Sequence, residues 1–530
     1  MVALELPTQL LFLLLALVLL ISIFRRHGRH HRLPPSPVGL PIIGHFHLLG
    51  PLLHRSFRDL SDRLGPLFSI HLGSVPCIVA SSPELASEFL KTNEVSFAAR
   101  VDSLAVSRLT YGYSMAFAPF NSYWKFIRKL TMNDLLSSRN VNSFASLRSR
   151  ELRRFLRLLA EKSERNEAAN VSAELQKLSF SVIAQMVLGS DGTANAGMDR
   201  GRAEEARTVV REVTRIFGEL NLSDFFWVLK RLDFQGYGKR IEDIFRRYDG
   251  LIEAILGERE ELRRNRNKEE EKEGVVKCRN LMDILLDHLE DQKDNETVEF
   301  TRLHVKGLIM DIFTAGTDTT SSSIDWTLSE LINNPTVLKK ARDEIDRVVG
   351  KTRLVNESDA SNLPYIQAMV KETLRLHPVV PVVSRKCIKE CKIGKYIIPE
   401  NAMLFINSWA ITRDPKYWEN PLEFQPERFL QGHEGSNSTS SSIDVKGQHF
   451  ELFPFGSGRR MCPGMNLALQ TLPTFIAAII QCFDFKVVGD GGDGHALSME
   501  EGPGLASPRA HELLCVPVPR LSPLSAILEP

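Results

Sequence analysis

The stretch "FPFGSGRRMCPG", residues 453–464, constrains this chain more than any other, because it sets one cysteine between a glycine-rich, doubly arginine-bearing loop and a Pro-Gly pair. The sequence after Cys462, "PGMNLALQTLPTFIAAIIQCF", has an apolar helical pattern, and proline is favoured at the first position of a helix. A helix is therefore predicted from Pro463. Cys462 then lies near its N-cap, where the sulfur meets unpaired backbone N–H groups and the positive end of the dipole, a setting that favours a thiolate. Pro473 falls inside the pattern and is expected to kink it. The glycines let the backbone turn tightly beneath a flat ligand, and Arg460 is placed to meet an anionic edge. A thiolate on such a platform suits an iron porphyrin with its propionates. A buried structural thiol beside a glycine turn explains the stretch, taken alone, equally well.

Composition narrows the partners. With 530 residues and a formal net charge of +1, the chain can bury a large core and lacks the basic excess of a nucleic-acid binder. No nucleic acid is expected. Seven scattered cysteines do not make a disulfide framework and fit a reducing compartment. Cys387 and Cys391 form a C-x-x-x-C pair without a second pair, and read as thiols of a strand-rich stretch. At the N-terminus "LLFLLLALVLLISIF" is almost wholly apolar and, counted back to Val2, reaches the ~20 residues that cross a bilayer. "RRHGRHHR" follows it, so the positive-inside rule keeps the rest of the chain cytosolic. Residues 1–24 are predicted to be a single-pass signal-anchor transmembrane helix, not a cleaved leader. The N-x-S/T triplets headed by Asn170, Asn221, Asn295, Asn356 and Asn437 would then never meet the glycosylation machinery.

Residues 25–44 form a basic and proline-rich hinge, stiff and extended. "LFSIHLGSVPCIVASS" reads as two short strands around a Gly-Ser turn, and helical period dominates from Ser82 to Glu260. "RRNRNKEEEKEG" (263–274) has no apolar face and is read as a solvated linker between helices. "VKGLIMDIFTAGTDTTSSSIDWTLSELINN" (305–334) is apolar around most of its circumference, as a long buried helix would be. "KYIIPENAMLFINSWAI" returns to strand character, and "EGSNSTSSS" (434–442) is a low-complexity surface loop. The expected fold class is mainly α with a small β region, residues 45–530 making one large catalytic domain.

Phe455, Gly458, Arg460, Cys462 and Gly464 resemble, position by position, the signature F-x-x-G-x-R-x-C-x-G of cytochrome P450 enzymes. The resemblance runs from the anchor to the C-terminal strands. It implies the cytochrome P450 fold and haem b, with Cys462 as the axial iron ligand and Phe455, Gly458, Arg460 and Gly464 shaping the cofactor site. "AGTDTT" (315–320) is similar to the family stretch that passes over the oxygen-binding face of the haem. Asp318 and Thr319 would be the catalytic pair that passes protons, and Gly316 would leave room for oxygen. Glu372 and Arg375 in "KETLR", followed by Arg428 in "PERF", resemble the family's structural Glu–Arg–Arg set, which locks the meander under the cysteine loop. Trp124 and Arg128 in "YWKFIRK", and Arg385 in "VVSRK", fall where propionate-binding residues are common. Lys125, Lys129 and Arg459 suit a basic face for a reductase or, equally, a solvated surface.

A narrower similarity is carried by "FLKTNE", "VREVTRIFGELNLSDF", "ELINNP" and "GQHFELFPFGSGRRMCPG". These resemble the plant microsomal group of flavone synthase II, flavanone 2-hydroxylase and isoflavone synthase, to which a pterocarpan hydroxylase is related. That implies an endoplasmic reticulum membrane enzyme, supplied with NADPH electrons through NADPH–cytochrome P450 reductase. Its substrate would be a flavanone of naringenin or liquiritigenin type. Hydrogen loss at C2 gives a flavone, or a 2-hydroxyflavanone after rebound; loss at C3 with aryl migration gives a 2-hydroxyisoflavanone. Isoflavone synthases typically carry serine, leucine and lysine where this chain has Thr319, Val380 and Ser384, which puts flavone synthase II first. Alanine in some flavone synthases at the place of Gly316 points the other way. Phe117, Val379, Val380, Val383 and Ser384 are expected in the substrate pocket from their distance to the motifs. A haem-thiolate protein that binds a ligand without turnover is the reading from another class; Asp318 and Thr319 argue against it, since a binder needs no buried proton relay.

Overall fold

The computed structural model describes residues 33–189, 200–226, 229, 233–273, 280–290, 298–430, 443–489 and 496–529. The predicted anchor, the basic collar and the loop 434–442 lie outside them. The chain divides into two compact units, one drawn from Met1–Val101, Asn221–Phe234 and Val382–Ile411, the other from Asp102–Leu220, Gln235–Pro381 and Thr412–Pro530.

In the first unit strand-forming residues such as Val, Ile, Phe and Tyr build strands β1 (Leu67–Leu72), β2 (Val75–Ala80), β3 (Val382–Lys386), β4 (Cys391–Ile393), β5 (Tyr396–Ile398) and β6 (Met403–Asn407). One sheet has the order β1–β2–β6–β3, with β2 and β6 parallel and its other pairs antiparallel; β4 and β5 form a separate hairpin. Helix α1 (Leu53–Leu64) lays Phe57 and Leu60 against Phe68, Ile70 and Met403 to make this unit's core. The proline-rich segment is pinned to β1. Prolines offer carbonyls but no N–H, and Ser69 supplies the donors: its N–H meets Pro35 O at 2.7 Å and its hydroxyl meets Pro34 O at 2.8 Å. The buried His45 ring adds a bond to Pro37 O at 2.9 Å.

The second unit is helical: α2 (Leu104–Leu109), α3 (Ser122–Leu130), α4 (Ala145–Glu164), α5 (Val171–Leu188), α6 (Arg200–Gly218), α7 (Tyr237–Glu273), α8 (Leu281–Glu290), α9 (Arg302–Asn333), α10 (Pro335–Val348), α11 (Pro364–Leu376) and α12 (Met465–Cys482). Strands β7 (Phe483–Val487) and β8 (Leu514–Pro519) pair antiparallel, and Ala169–Asn170 adds to β8. The predicted buried helix is α9, opened at Thr301 by a capping box with His304. It packs against α5, α6, α11 and α12. Along α9 the hydroxyls of Thr314, Thr319, Ser321, Ser323, Thr327 and Ser329 each donate back to the carbonyl four residues earlier.

Two sequence expectations change here. The charge run 263–274 is not a linker up to Glu273, because α7 continues through it. Arg263, buried, bonds the carbonyl of Asp283 and the carboxylates of Asp287 and Glu290 on α8, so ionic partners replace the missing apolar face. Helix α12 starts at Met465 with Gly464 as N-cap, which leaves Pro463 ahead of the helix, and it runs on through Pro473. Among the described residues α12 is the one helix long and apolar enough to cross a membrane, yet its last two-thirds, from Thr471 to Cys482, is buried core.

Candidate active site

The cysteine loop turns on its glycines. Gly456 and Gly458 take φ of +73° and +72°, a left-handed conformation that disfavours any side chain. The turn closes with Cys462 N–H on Phe455 O at 2.9 Å, and the Ser457 hydroxyl ties it to Gly447 O at 2.7 Å. The half-buried thiol accepts from the N–H groups of Gly464 and Met465 and feels the charge of Arg128 on α3. Burial pushes it above its ordinary value, against those two amides and the guanidinium. Burial likewise lowers Arg128, and the cysteine partly restores it.

Arg460 is buried beside this loop, its guanidinium 4.4 Å from the centre of the Trp124 ring. It donates to Met115 O at 3.3 Å and to Ala118 O, and Trp124 Nε1 donates to the same Met115 O at 3.0 Å. Trp124, one turn before Arg128 on α3, is thereby fixed with Arg460 by a single carbonyl.

In the middle of α9 the buried face opens. Ala315 is exposed and Gly316 and Asp318–Thr320 are half-buried, between buried turns on either side. The Thr319 hydroxyl rests on Ala315 O at 2.6 Å. Asp318 is held above the usual carboxylate range by burial, against a hydrogen bond from Thr214 and the charge of Arg211, both on α6. A Cβ at Gly316 would stand 2.6 Å from Ile183 Cδ1 on α5, so this glycine makes room for a neighbouring helix.

Glu372 and Arg375 are fully buried on α11. Arg375 Nε and Nη2 meet the two Glu372 oxygens at 2.7 and 2.8 Å, and Arg428 Nε meets Oε1 at 3.0 Å. The arginines also donate to carbonyls of the following chain: Arg375 to Thr412, Pro421 and Glu423, Arg428 to Glu419. Trp418 lies under both guanidinium groups.

The pocket candidates divide. Phe117 is half-buried and edge-on to Phe217, with ring centres 5.5 Å apart; Val379 is buried, its carbonyl taken by Ser507 N–H; Val380 is half-buried. Val383, Ser384 and Arg385 belong to β3 in the first unit, where consecutive residues face opposite ways. Val383 and Arg385 share the buried face. Ser384 shares the other with Val382, which packs on the Phe57–Phe68 core, so Val383 and Ser384 face opposite sides of the sheet.

Sequence reasoning missed Asp311. It is buried on α9 and accepts the Ser114 hydroxyl and the Met115 N–H, both at 2.6 Å. A signal was there: Asp311, Asp318 and Asp325 recur every seven residues along a largely buried helix, so all three lie on one stripe.

The donor set fits a haem. A thiol stands at a helix start, and Gly464 has no Cβ where one would lie 3.8 Å from the sulfur. Two half-buried to buried arginines and an indole N–H gather beside it, and Phe455, Leu467 and Ala468 supply half-buried apolar surface. A flat, apolar, dianionic ring with a metal centre meets each of these requirements.

A family model described as Cytochrome P450 matches residues 34–516. Cytochrome P450 93B16 of Glycine max is 51% identical over 501 residues, 93% of each chain. A 2-hydroxyisoflavanone synthase of Glycyrrhiza echinata is 50% identical over 504 residues, 93% of each chain. A 3,9-dihydroxypterocarpan 6A-monooxygenase of Glycine max is 45% identical over 523 residues, 98% of this chain and 99% of that one.

Proposed function

The chain belongs to the cytochrome P450 family, and from that premise we propose that it is a haem-thiolate monooxygenase of flavonoid metabolism that oxidises a flavanone. The flavonoid reading is carried by one observation: relatives named 2-hydroxyisoflavanone synthase and 3,9-dihydroxypterocarpan 6A-monooxygenase match over nearly the whole chain.

Cys462 would hold the iron, and Trp124, Arg128 and Arg460 the propionate edge. When bound, haem supplies oxygen activation, with electrons from NADPH through a reductase. The protein's own part is proton handling and positioning. Asp318, its carboxyl raised by burial, keeps a proton near neutrality more readily than a surface aspartate. The neighbouring Thr319 hydroxyl, parked on Ala315 O, can exchange that acceptor for an oxygen of the substrate side and pass the proton on. The Glu372 cluster holds the chain that follows α11 and takes no part in proton movement. Membrane anchoring through residues 1–24 belongs to the same proposal.

The product reading shifts from C2 to C3. The named relatives support 2-hydroxyisoflavanone formation, with hydrogen loss at C3 and aryl migration, better than flavone formation. Ser384 weighs less against it, since its strand face is shared with Val382 and not with Val383. Thr319 and Val380 still favour flavone formation as the second reading. Microsomes containing this protein, a plant reductase and NADPH, fed naringenin or liquiritigenin, decide between them when products are resolved before acid treatment. A 2-hydroxyisoflavanone supports the first reading, a flavone the second, and untouched flavanones beside an intact thiolate spectrum would end the substrate proposal.

A further inference from the structure

Asp311 takes no part in the reaction as described, yet it is the best-satisfied of the three aspartates on the α9 stripe. Its Oδ1 accepts the Ser114 hydroxyl at 2.6 Å, and its Oδ2 accepts the N–H groups of Met115 at 2.6 Å and Ala116 at 3.4 Å. Three donors converge on one group. A carboxylate meets them with acceptors only, whereas an amide would turn an NH2 toward one of them.

What the carboxylate holds is irregular backbone, the stretch from Ser114 to Ala118 between α2 and α3. No ladder fixes its course, and it follows Tyr111, a non-glycine residue at φ +56° whose hydroxyl is tied to Asp249 on α7 at 2.8 Å. Two outputs leave this stretch. The Met115 carbonyl receives Trp124 Nε1 at 3.0 Å and Arg460 Nη1 at 3.3 Å. The Ser114 oxygen receives the N–H of Phe117 at 3.2 Å, and the Phe117 ring stands edge-on to Phe217 of α6.

We propose that Asp311 is a positioning residue for both sides of the site: by gripping Ser114–Ala116 it aims the carbonyl that orients Trp124 and Arg460, and the hydroxyl that orients Phe117. The inference rests on the proposed function, in which the first pair faces the haem propionates and Phe117 faces the flavanone. Burial raises Asp311 to about 6, so near neutrality it is the charged form that receives the three donors.

The test uses full-length holoprotein and compares Asp311→Asn with Glu344→Gln. Glu344 is a second buried carboxylate that accepts two backbone N–H groups, of Tyr365 and Ile366 at 2.9 and 3.1 Å, and touches none of the residues above. Two readouts are taken: the rate of haem transfer to apomyoglobin, and the dissociation constant of naringenin from its spin-state spectrum. Asp311→Asn is expected to speed haem loss and weaken naringenin binding, each about tenfold, as loss of a charged hydrogen-bond acceptor predicts. Glu344→Gln is expected to lower the unfolding temperature and move neither readout. Wild-type values for Asp311→Asn in both readouts, or equal changes in Glu344→Gln, overturn the proposal. Should Asp311→Asn fail to fold, Ser114→Ala separates the outputs: naringenin binding should weaken while haem transfer stays near wild type, and unchanged binding overturns the proposal. If the wild-type protein takes up no haem, or takes it up and gives no spin shift with any flavanone, the functional reading itself falls and this inference with it.

Discussion

Glu372 and Asp318 are both carboxylates inside the second unit, and their surroundings differ in kind. Glu372 is fully buried, with Arg375 and Arg428 on its oxygens and the N–H of Gln425 at 2.9 Å. Asp318 is half-buried, met by a Thr214 hydroxyl and the charge of Arg211, and sits above the usual carboxylate range. Glu372 has fixed cations and an amide on its oxygens, whereas Asp318 is desolvated without being neutralised and is ready to take up a proton. Saturation marks a structural charge, and incomplete pairing marks a working one.

The sharpest way to break this contrast is Glu372→Gln. It leaves two buried guanidinium groups facing a neutral amide, and should remove about 3–5 kcal/mol of stability, enough to abolish the thiolate-type carbon monoxide band in expressed protein. Asp318→Asn should instead keep that band and unfold in urea within about 1 kcal/mol of wild type. Its turnover should fall about a hundredfold, with the naringenin dissociation constant unchanged. Equal loss of folded protein in the two variants would end the distinction.

A smaller effect tests the opening next to Asp318. Gly316→Ala brings a methyl against Ile183 and should cost about 1–3 kcal/mol. Adding Ile183→Val should recover part of it, since the clash is with a side-chain end rather than with backbone. No recovery in thermal unfolding would mean that the methyl meets something else.

The smallest effect concerns pH. Asp311 has its folded value raised to about 6, above that of an unfolded aspartate. Its protonation therefore stabilises the fold fully below the unfolded value and ceases to do so as pH rises through about 6. The stability difference between wild type and Asp311→Asn should shift in favour of wild type as pH falls from 6.5 to 4, by urea unfolding. A flat difference would mean that Asp311 shares the saturated character of Glu372.

Much of this was legible in the sequence. The cysteine loop, the α9 run and the Glu372–Arg375–Arg428 set are local patterns whose geometry follows from spacing and from the resemblance. What stayed hidden depends on partners far along the chain. Asp311 is read only through Ser114 and Met115, which lie almost two hundred residues earlier in irregular backbone. The close approach at Gly316 is set by Ile183 on another helix. The length of α7 was missed for the same reason: Arg263 finds its partners on α8, not on its own face.

The row of hydroxyls along α9 has a mechanical consequence. Each of those carbonyls has a second donor waiting, so a backbone bond there can stretch without leaving an orphaned acceptor in the interior. An all-apolar helix would behave as a stiff rod and resist any bend with the full strength of its ladder. This one behaves as a beam with slack built into its midpoint. A bend would cost the ladder least at the turn that carries Asp318 and Thr319.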